Sequence, residues 1–445
     1  MNRFNGKFFI PLFCIVCSTI ISFNPAFSNG WTSWDDDIYV TDNPVIQQLS
    51  IDHVWKAFTS VFNGSYAPLT ILTYMIEYQI DGFNPALYHT TNVVMHIVNS
   101  CLVFWLAYLL SGNIMAVFIA GMLFGIHPMR VESVAWISGR KDVLSMFFFL
   151  LSSISYLRYI DSHKKLRLLL SFILFVCAIL SKIIVLTFPL ILLLFDFLKR
   201  REVTGNMLVE KIPFFVTAAV LAVVGVFGQV SVNAIKQSSG IVENSIVSLH
   251  GIMFYIEKFF IPVKLSHIYS YPKNLTIEYY LYAALVIPLV YYVWKYRKND
   301  MLVFGSLFFI ISLLPVLQLV RFSQIFAADR FTYFAYIGVF YIVGIGTAKS
   351  MTETNKWVII LLLVIVFCSF AFLTNERCRA WKDNDTLWKD LDRNTSQSTQ
   401  KILNEDSPLL FLVQPVQHSG NKCERVRRTS GNKQVDRIIV QKFTI

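Results

Sequence analysis

Apolar runs, most of them near the length needed to cross a bilayer, recur from residue 8 to residue 374, and no other feature restricts this chain as much. A hydrocarbon core about 30 Å thick needs roughly 20 apolar residues as a helix. Inside it, only helices and closed barrels satisfy every backbone group. The runs fall at 8–28, 87–110, 114–126, 143–160, 166–181, 183–198, 211–229, 278–295, 301–320, 331–348 and 357–374, and those from 87 to 198 are separated by short polar breaks. Residues 251–263 are apolar but contain Glu257 and Lys258, so they read as a re-entrant or interfacial segment, and 230–248 reads as a polar loop. The expected fold is an all-α polytopic bundle of about eleven transmembrane helices. A content of 55% hydrophobic and 15% charged residues argues in the same direction.

The charge pattern supplies an orientation. A net charge of +11 would suit nucleic acid if it were spread over one surface, but here the cations lie in short runs between spans. Arg158, Lys164, Lys165 and Arg167, then Lys199-Arg200-Arg201, then Lys295 to Lys298 mark cytoplasmic breaks under the positive-inside rule. A nucleic-acid partner is therefore not expected; the bilayer is. The first run reads as an uncleaved span with a cytoplasmic N-terminus, which puts the C-terminus on the other, periplasmic or lumenal, side. Residues 1–392 form the expected membrane domain, and 393–445 read as a polar, disordered or truncated tail. The seven cysteines lie mostly in apolar runs without metal-ligand spacing.

With that topology, costly polar residues collect at the outer face. Residues 29–86 form a long outer loop with turn signals at Asn43-Pro44, Asn63-Gly64, Asp81-Gly82 and Asn84-Pro85, and it opens on Trp34-Asp35-Asp36-Asp37. Three adjacent acids can simply cap a helix. The break from His127-Pro128 to Asp142 carries Arg130, Glu132, Arg140 and Lys141 where the positive-inside bias disfavours cations. Lys182 and Asp329-Arg330 lie on the same side. Their bland readings are a turn histidine, headgroup anchors, a snorkelling lysine and an internal ion pair. Together, however, carboxylates facing cations suit transfer from a lipid-linked phosphate. A carboxylate takes the proton of an acceptor hydroxyl while Arg or Lys stabilises the departing phosphate. No phosphate-binding glycine loop, nucleophile elbow or HExxH motif competes, no cofactor is called for, and a divalent metal is compatible with the acids but not indicated.

Five stretches carry a resemblance: Trp34 to Asp37 with Asn43-Pro44; Asn84 to His89 with Asn92 and His96; His127-Pro128 through Glu132 with Gly139 to Asp142; Ser181-Lys182; and Ala328 to Arg330 with Tyr333. In these the chain resembles the GT-C integral-membrane glycosyltransferases, in particular the transmembrane and tetratricopeptide-repeat O-mannosyltransferases and their bacterial relatives. The resemblance covers about residues 30–392 and is most specific in the VESVAWISGRKD stretch. It implies a polyprenyl- or dolichyl-phosphate sugar donor, inverting transfer to a hydroxyl on protein, glycan or lipid, and a catalytic acid in the first outer loop. It favours Asp36 as base, with Asp35 a close second and Asp37 supporting. Arg130, Arg140, Lys141, Lys182 and Arg330 would bind the donor and its phosphate, and His127, Glu132 and His89 would support the pocket. The family's repeats are absent from 398–445. The rival readings are a lipid-linked sugar flippase or transporter, and an inactive membrane scaffold. A bacterial inner membrane is favoured over an ER membrane by compact outer segments and the lack of a retrieval signal.

Overall fold

The computed structural model describes residues 6–232, 240–272, 274–319, 321 and 325–394. The tail expected to be disordered or truncated therefore lies, from residue 395 onward, outside the described residues. Among the described residues, seven helical segments are long and apolar enough to cross a membrane: Phe9–Ser28, Pro85–Ser111, Ile137–Ser162, Gly205–Ser231, Ile277–Lys295, Asp329–Ser350 and Lys356–Arg379. An eighth is formed if Ile114–Ile126 and Pro128–Ala135, bent by 57° at their junction, count as one span. Ile183–Leu198 and Asp300–Leu313 are shorter apolar helices. This is a multi-pass helical membrane protein, and the set is compatible with eleven crossings.

Local chemistry fixes the ends of these helices. Asn84 caps Pro85–Ser111 by accepting from the Ala86 amide, and Gly112 closes it with a φ of 67°. Asn113 caps the next helix through Ala116. Glycines set how closely the helices approach. A Cβ on Gly305 would lie 2.6 Å from the Gly338 carbonyl oxygen, so any larger residue would push Asp300–Leu313 away from Thr332–Ser350. Arg140–Ser162 and Thr332–Ser350 are buried along most of their length, whereas the outward faces of Ile277–Lys295 and Lys356–Arg379 present exposed Leu, Val and Ile. The first pair forms the centre of the bundle and the second its lipid-facing rim.

The 29–84 segment is a folded cap with a small core of its own. Tyr39, Val40, Ile46, Phe62, Ile71, Tyr74 and Met75 pack together with Tyr88 and Ile137 from the bundle. Its helices are Ile51–Thr59 and Pro68–Asp81, and its hairpin turn uses Asn63 at φ 44° and Gly64 at φ 71°. Two local expectations are corrected. The polar loop drawn to 248 ends earlier, because Ile241–Phe260 is a continuous 20-residue helix. Its polar Asn244, Ser248, His250 and Lys258 are buried against the rest of the protein while Ile241, Val242 and Phe260 are exposed, so the polarity at 243–250 belongs to a packed helix and not to a loop. The run at 301–320 ends as a helix at Leu313. A two-stranded ribbon, Tyr269–Ser270 with Ile325–Ala327, was not anticipated, being too short for a periodic signal.

Candidate active site

The acidic stretch is pinned by three contacts to residues 378–384. Asn29 donates to the Cys378 carbonyl at 3.1 Å, and Gly30 donates to the Lys382 carbonyl at 2.7 Å. Ser33 donates through its hydroxyl to Asn384 Oδ1 at 2.9 Å. The end of the Lys356–Arg379 helix and the start of Asn384–Asn394 thus form one wall beside the acids.

Asp36 and Asp35 differ sharply within this frame. Asp36 is 1% exposed, and both of its oxygens are occupied. Oδ1 accepts from the Ser138 amide at 3.0 Å and its hydroxyl at 2.7 Å. Oδ2 accepts from the Thr32 amide at 3.1 Å and its hydroxyl at 2.8 Å. Asp36 therefore clamps its own loop to the 137–139 turn. Asp35 is half-buried and accepts one side-chain hydrogen bond, from Asn63 to Oδ1 at 2.9 Å; Oδ2 accepts none among the described residues. Burial pushes its pKa up from 3.8 to about 6, against the pull of Lys141 and Arg330 and with a further push from Asp36 and Asp37.

The cations facing this acid are set by the 128–142 segment. Lys141 is buried, with its ammonium 3.7 Å from the centre of the Tyr39 ring and 5.7 Å from that of Trp136. Lys182 donates to Asp142 Oδ1 at 2.6 Å, while Asp142 Oδ2 is buried without a partner among the described residues. Burial lowers the Lys182 pKa, and Asp142 opposes that shift. Arg330 is ion-paired with Glu132, which also accepts from the Arg330 amide at 2.8 Å, and its guanidinium lies 5.6 Å over Trp136. Gly139 makes the turn possible, since a Cβ there would lie 2.6 Å from the Ser133 carbonyl oxygen. Together these residues put an under-bonded carboxylate within the pull of Lys141 and Arg330, with Lys182 held on Asp142 nearby, at one end of the central helices. Among the described residues, no group of three or more His, Cys, Asp or Glu side chains is arranged to hold a metal.

No family model matches this chain. Curated proteins do. Drosophila melanogaster protein O-mannosyl-transferase Tmtc1 is 38% identical over 120 residues, 27% of this chain and 14% of the relative. Human protein O-mannosyl-transferase TMTC1 is 32% identical over 169 residues, 33% of this chain and 19% of the relative. The chain resembles the TMTC protein O-mannosyl-transferases. The matched stretches span less than a fifth of the length of either relative. Among solved structures, ArnT from Cupriavidus metallidurans bound to undecaprenyl phosphate aligns with a TM-score of 0.45 and 10% identity, over 81% of this chain and 63% of that one.

The residues singled out from the sequence divide into two groups. Asp35, Lys141, Lys182, Arg330 and Glu132 share one cluster. Arg140 turns the other way: it is fully buried, ion-paired with Glu77 at 2.9 Å, and bonded to Asn92 and to the Tyr88 carbonyl at 2.8 Å. Arg130 is enclosed by the rings of Phe124, Tyr333, Tyr336 and Phe340 and donates to Thr332 Oγ1 at 2.5 Å. His127 bonds the Phe259 carbonyl at 3.0 Å and accepts from the Met129 amide, and His89 bonds the Gly30 carbonyl at 3.1 Å. These four brace the bundle under the cluster. The sequence reading missed Thr32, Ser138 and Asn63, which separate the roles of Asp35 and Asp36. It also missed Trp34, His267 and Trp381 as one aromatic group. Asn63 was visible only as part of a turn.

Proposed function

We propose that the chain transfers a sugar, mannose by likeness to the TMTC relatives, from a polyprenyl- or dolichyl-phosphate donor to a hydroxyl acceptor, with Asp35 as general base. The observation that carries this reading is the contrast at the acidic pair, where Asp36 is fully hydrogen-bonded and Asp35 keeps an oxygen available within the electrostatic pull of Lys141 and Arg330. In the step, the acceptor hydroxyl gives its proton to Asp35 as its oxygen bonds to the sugar C1. The bond from C1 to the phosphate oxygen breaks, configuration inverts, and polyprenyl phosphate leaves with both electrons. Lys141, Lys182 and Arg330 stabilise the charge on that phosphate. Glu132 and Asp142 hold two of these cations in place. Asp36 acts as a positioning residue for the loop that bears the base.

The reaction belongs at the side of the membrane opposite the Lys199-Arg200-Arg201 break, periplasmic in a bacterial inner membrane or lumenal in the ER. The lipid tail of the donor then stays among the spans. The test is transfer of labelled mannose from polyprenyl-phosphate mannose to hydroxyl acceptors in purified membranes. Wild-type activity and its loss in Asp35→Asn are expected. Full activity of that variant would reject the assigned base, and donor translocation into proteoliposomes without transfer would favour a carrier.

A further inference from the structure

Beside the acids lies a group of aromatic side chains whose polar atoms are left over. His267 is 1% exposed, yet neither ring nitrogen has a hydrogen-bond partner among the described residues. The indole N–H groups of Trp136, Trp381 and Trp388 are likewise buried and unpartnered. These side chains touch one another. His267 meets Trp34 edge-on at 4.8 Å and lies 5.7 Å from Trp381; Trp381 stacks on Trp136 at 5.7 Å, and Trp34 lies 5.9 Å from Trp388. Trp34 precedes Asp35 in the chain, and Trp136 is the ring beneath both Lys141 and Arg330. The group therefore adjoins the carboxylate and the cations on the side formed by residues 381–388.

Buried polar atoms in native proteins nearly always have partners, so four side chains lacking them in one place call for a reason. Packing alone would be served better by Phe at each position, because an unmade hydrogen bond costs stability and an apolar isostere does not. The chemistry of the set is specific. Burial, with Arg377 and Arg330 nearby, lowers the His267 pKa to about 3, so the ring is neutral and offers one N–H and one acceptor nitrogen. Three indole N–H donors complete it. A neutral donor and acceptor set within flat apolar rings matches a polyol ring, which presents alternating C–H faces and hydroxyl edges. It does not match a second phosphate, which would seek the cations.

We infer that His267 and the indole N–H groups of Trp381 and Trp388 form the subsite that binds the hydroxyls of the sugar. This deepens the proposed function and rests on it. Trp34 and Trp388 are the half-buried members, so the group reaches the surface on their side. The same polyol chemistry would be offered by the sugar of the donor or by a glycan acceptor, and the subsite is assigned to the donor because it adjoins the phosphate-facing cations.

The test measures binding of polyprenyl-phosphate mannose and of polyprenyl phosphate alone to the purified full chain, in wild type, His267→Phe and Trp388→Phe. Wild type is expected to prefer the sugar-bearing lipid. His267→Phe should keep or raise thermal stability, bind polyprenyl phosphate as before, and lose tenfold or more of the preference. A preference unchanged in both variants overturns the inference while leaving the base and phosphate assignments standing. A raised acceptor KM with unchanged donor preference overturns the donor assignment in favour of a glycan acceptor. If His267→Phe does not fold, Trp388→Phe supplies the reading: a wild-type fluorescence change on adding the mannose lipid, absent with polyprenyl phosphate, should shrink in that variant. Wild type binding neither lipid would overturn the proposed function itself.

Discussion

Two buried ion clusters lie toward the two ends of the Arg140–Ser162 helix, with Lys141 in one and Tyr156 in the other, roughly 23 Å apart along the axis at 1.5 Å per residue, and they are built on opposite principles. At the far end, Asp196 accepts from Lys211 at 2.6 Å and from Tyr156 at 2.9 Å. Glu210 is ion-paired with Arg201 and accepts from Tyr159 at 2.6 Å, and Lys211 also donates to the Met207 carbonyl at 2.6 Å. Every charge there is matched. At the near end, Asp35 keeps one oxygen unbonded, Asp142 Oδ2 is buried without a partner, and His267 has two unmatched nitrogens among the described residues. A matched cluster stabilises one arrangement of helices; an unmatched one is costly until something else completes it. That difference, more than the count of charged residues, separates an anchor from a site.

The sharpest way to break the comparison lies within the acidic pair. Asp35→Asn should cut transfer by about 10²–10⁴-fold, the usual worth of a general base, and should leave the fold at least as stable at pH 7. The sign follows from the raised pKa: with a folded value of about 6 above 3.8, the native state holds the proton more tightly, and ionisation lowers stability as pH rises through that window. Asp36→Asn should act in reverse on stability. Its amide would turn donors toward the amides and hydroxyls of Ser138 or Thr32, a loss of about 2–3 kcal/mol or more, read as thermal unfolding in detergent. Equal stability losses in the two variants would erase the distinction. At the anchor, Asp196→Asn leaves Lys211 with Glu210, at 3.2 Å, as its remaining carboxylate in a buried setting and should cost about 3 kcal/mol, the low end for a broken buried pair. Transfer per folded molecule should stay unchanged, and a changed donor KM would mean that the far cluster is not merely structural.

Hydropathy made most of the helices legible, because a span must be apolar along its length whatever it packs against. The 114–126 run and the Ile114–Ile126 helix coincide, and 183–198 matches Ile183–Leu198. Roles within the site were less legible, for a geometric reason. Neighbouring residues on a helix point about 100° apart, so Arg140 reaches Glu77 and Asn92 while Lys141 reaches Tyr39. The same divergence separates Asp36 from Asp35. What decides each side chain's role is a partner distant in sequence, such as Ser138 for Asp36 or Asn384 for Ser33, and no local motif encodes such a partner. His267 left no signal at all, since it sits in a connection between a helix and a two-residue strand.

Smaller effects refine the near cluster. Gly139→Ala should cost about 1–3 kcal/mol, because its methyl would press on the backbone of Ser133 and Glu132 rather than on a movable side chain. Transfer should fall with it, since that turn carries Ser138 and leads into Lys141; a stable and fully active variant would show that the turn has slack.

The finest test is a pH profile. The base must be ionised, so the acid limb of kcat/KM should lie near 6. Lys141 pulls the Asp35 pKa down, so Lys141→Met should move the limb upward, on the order of one unit for a close opposite charge. Lys182 is held by Asp142, and Lys141 and Arg330 are the cations that pull on Asp35, so Lys182→Met should weaken donor binding while moving the limb far less than Lys141→Met does. Both lysines touch the same cluster, and a general loss of packing would not distinguish them. A limb that moves with Lys182 and not with Lys141 would mean that the titrating group is some acid other than Asp35.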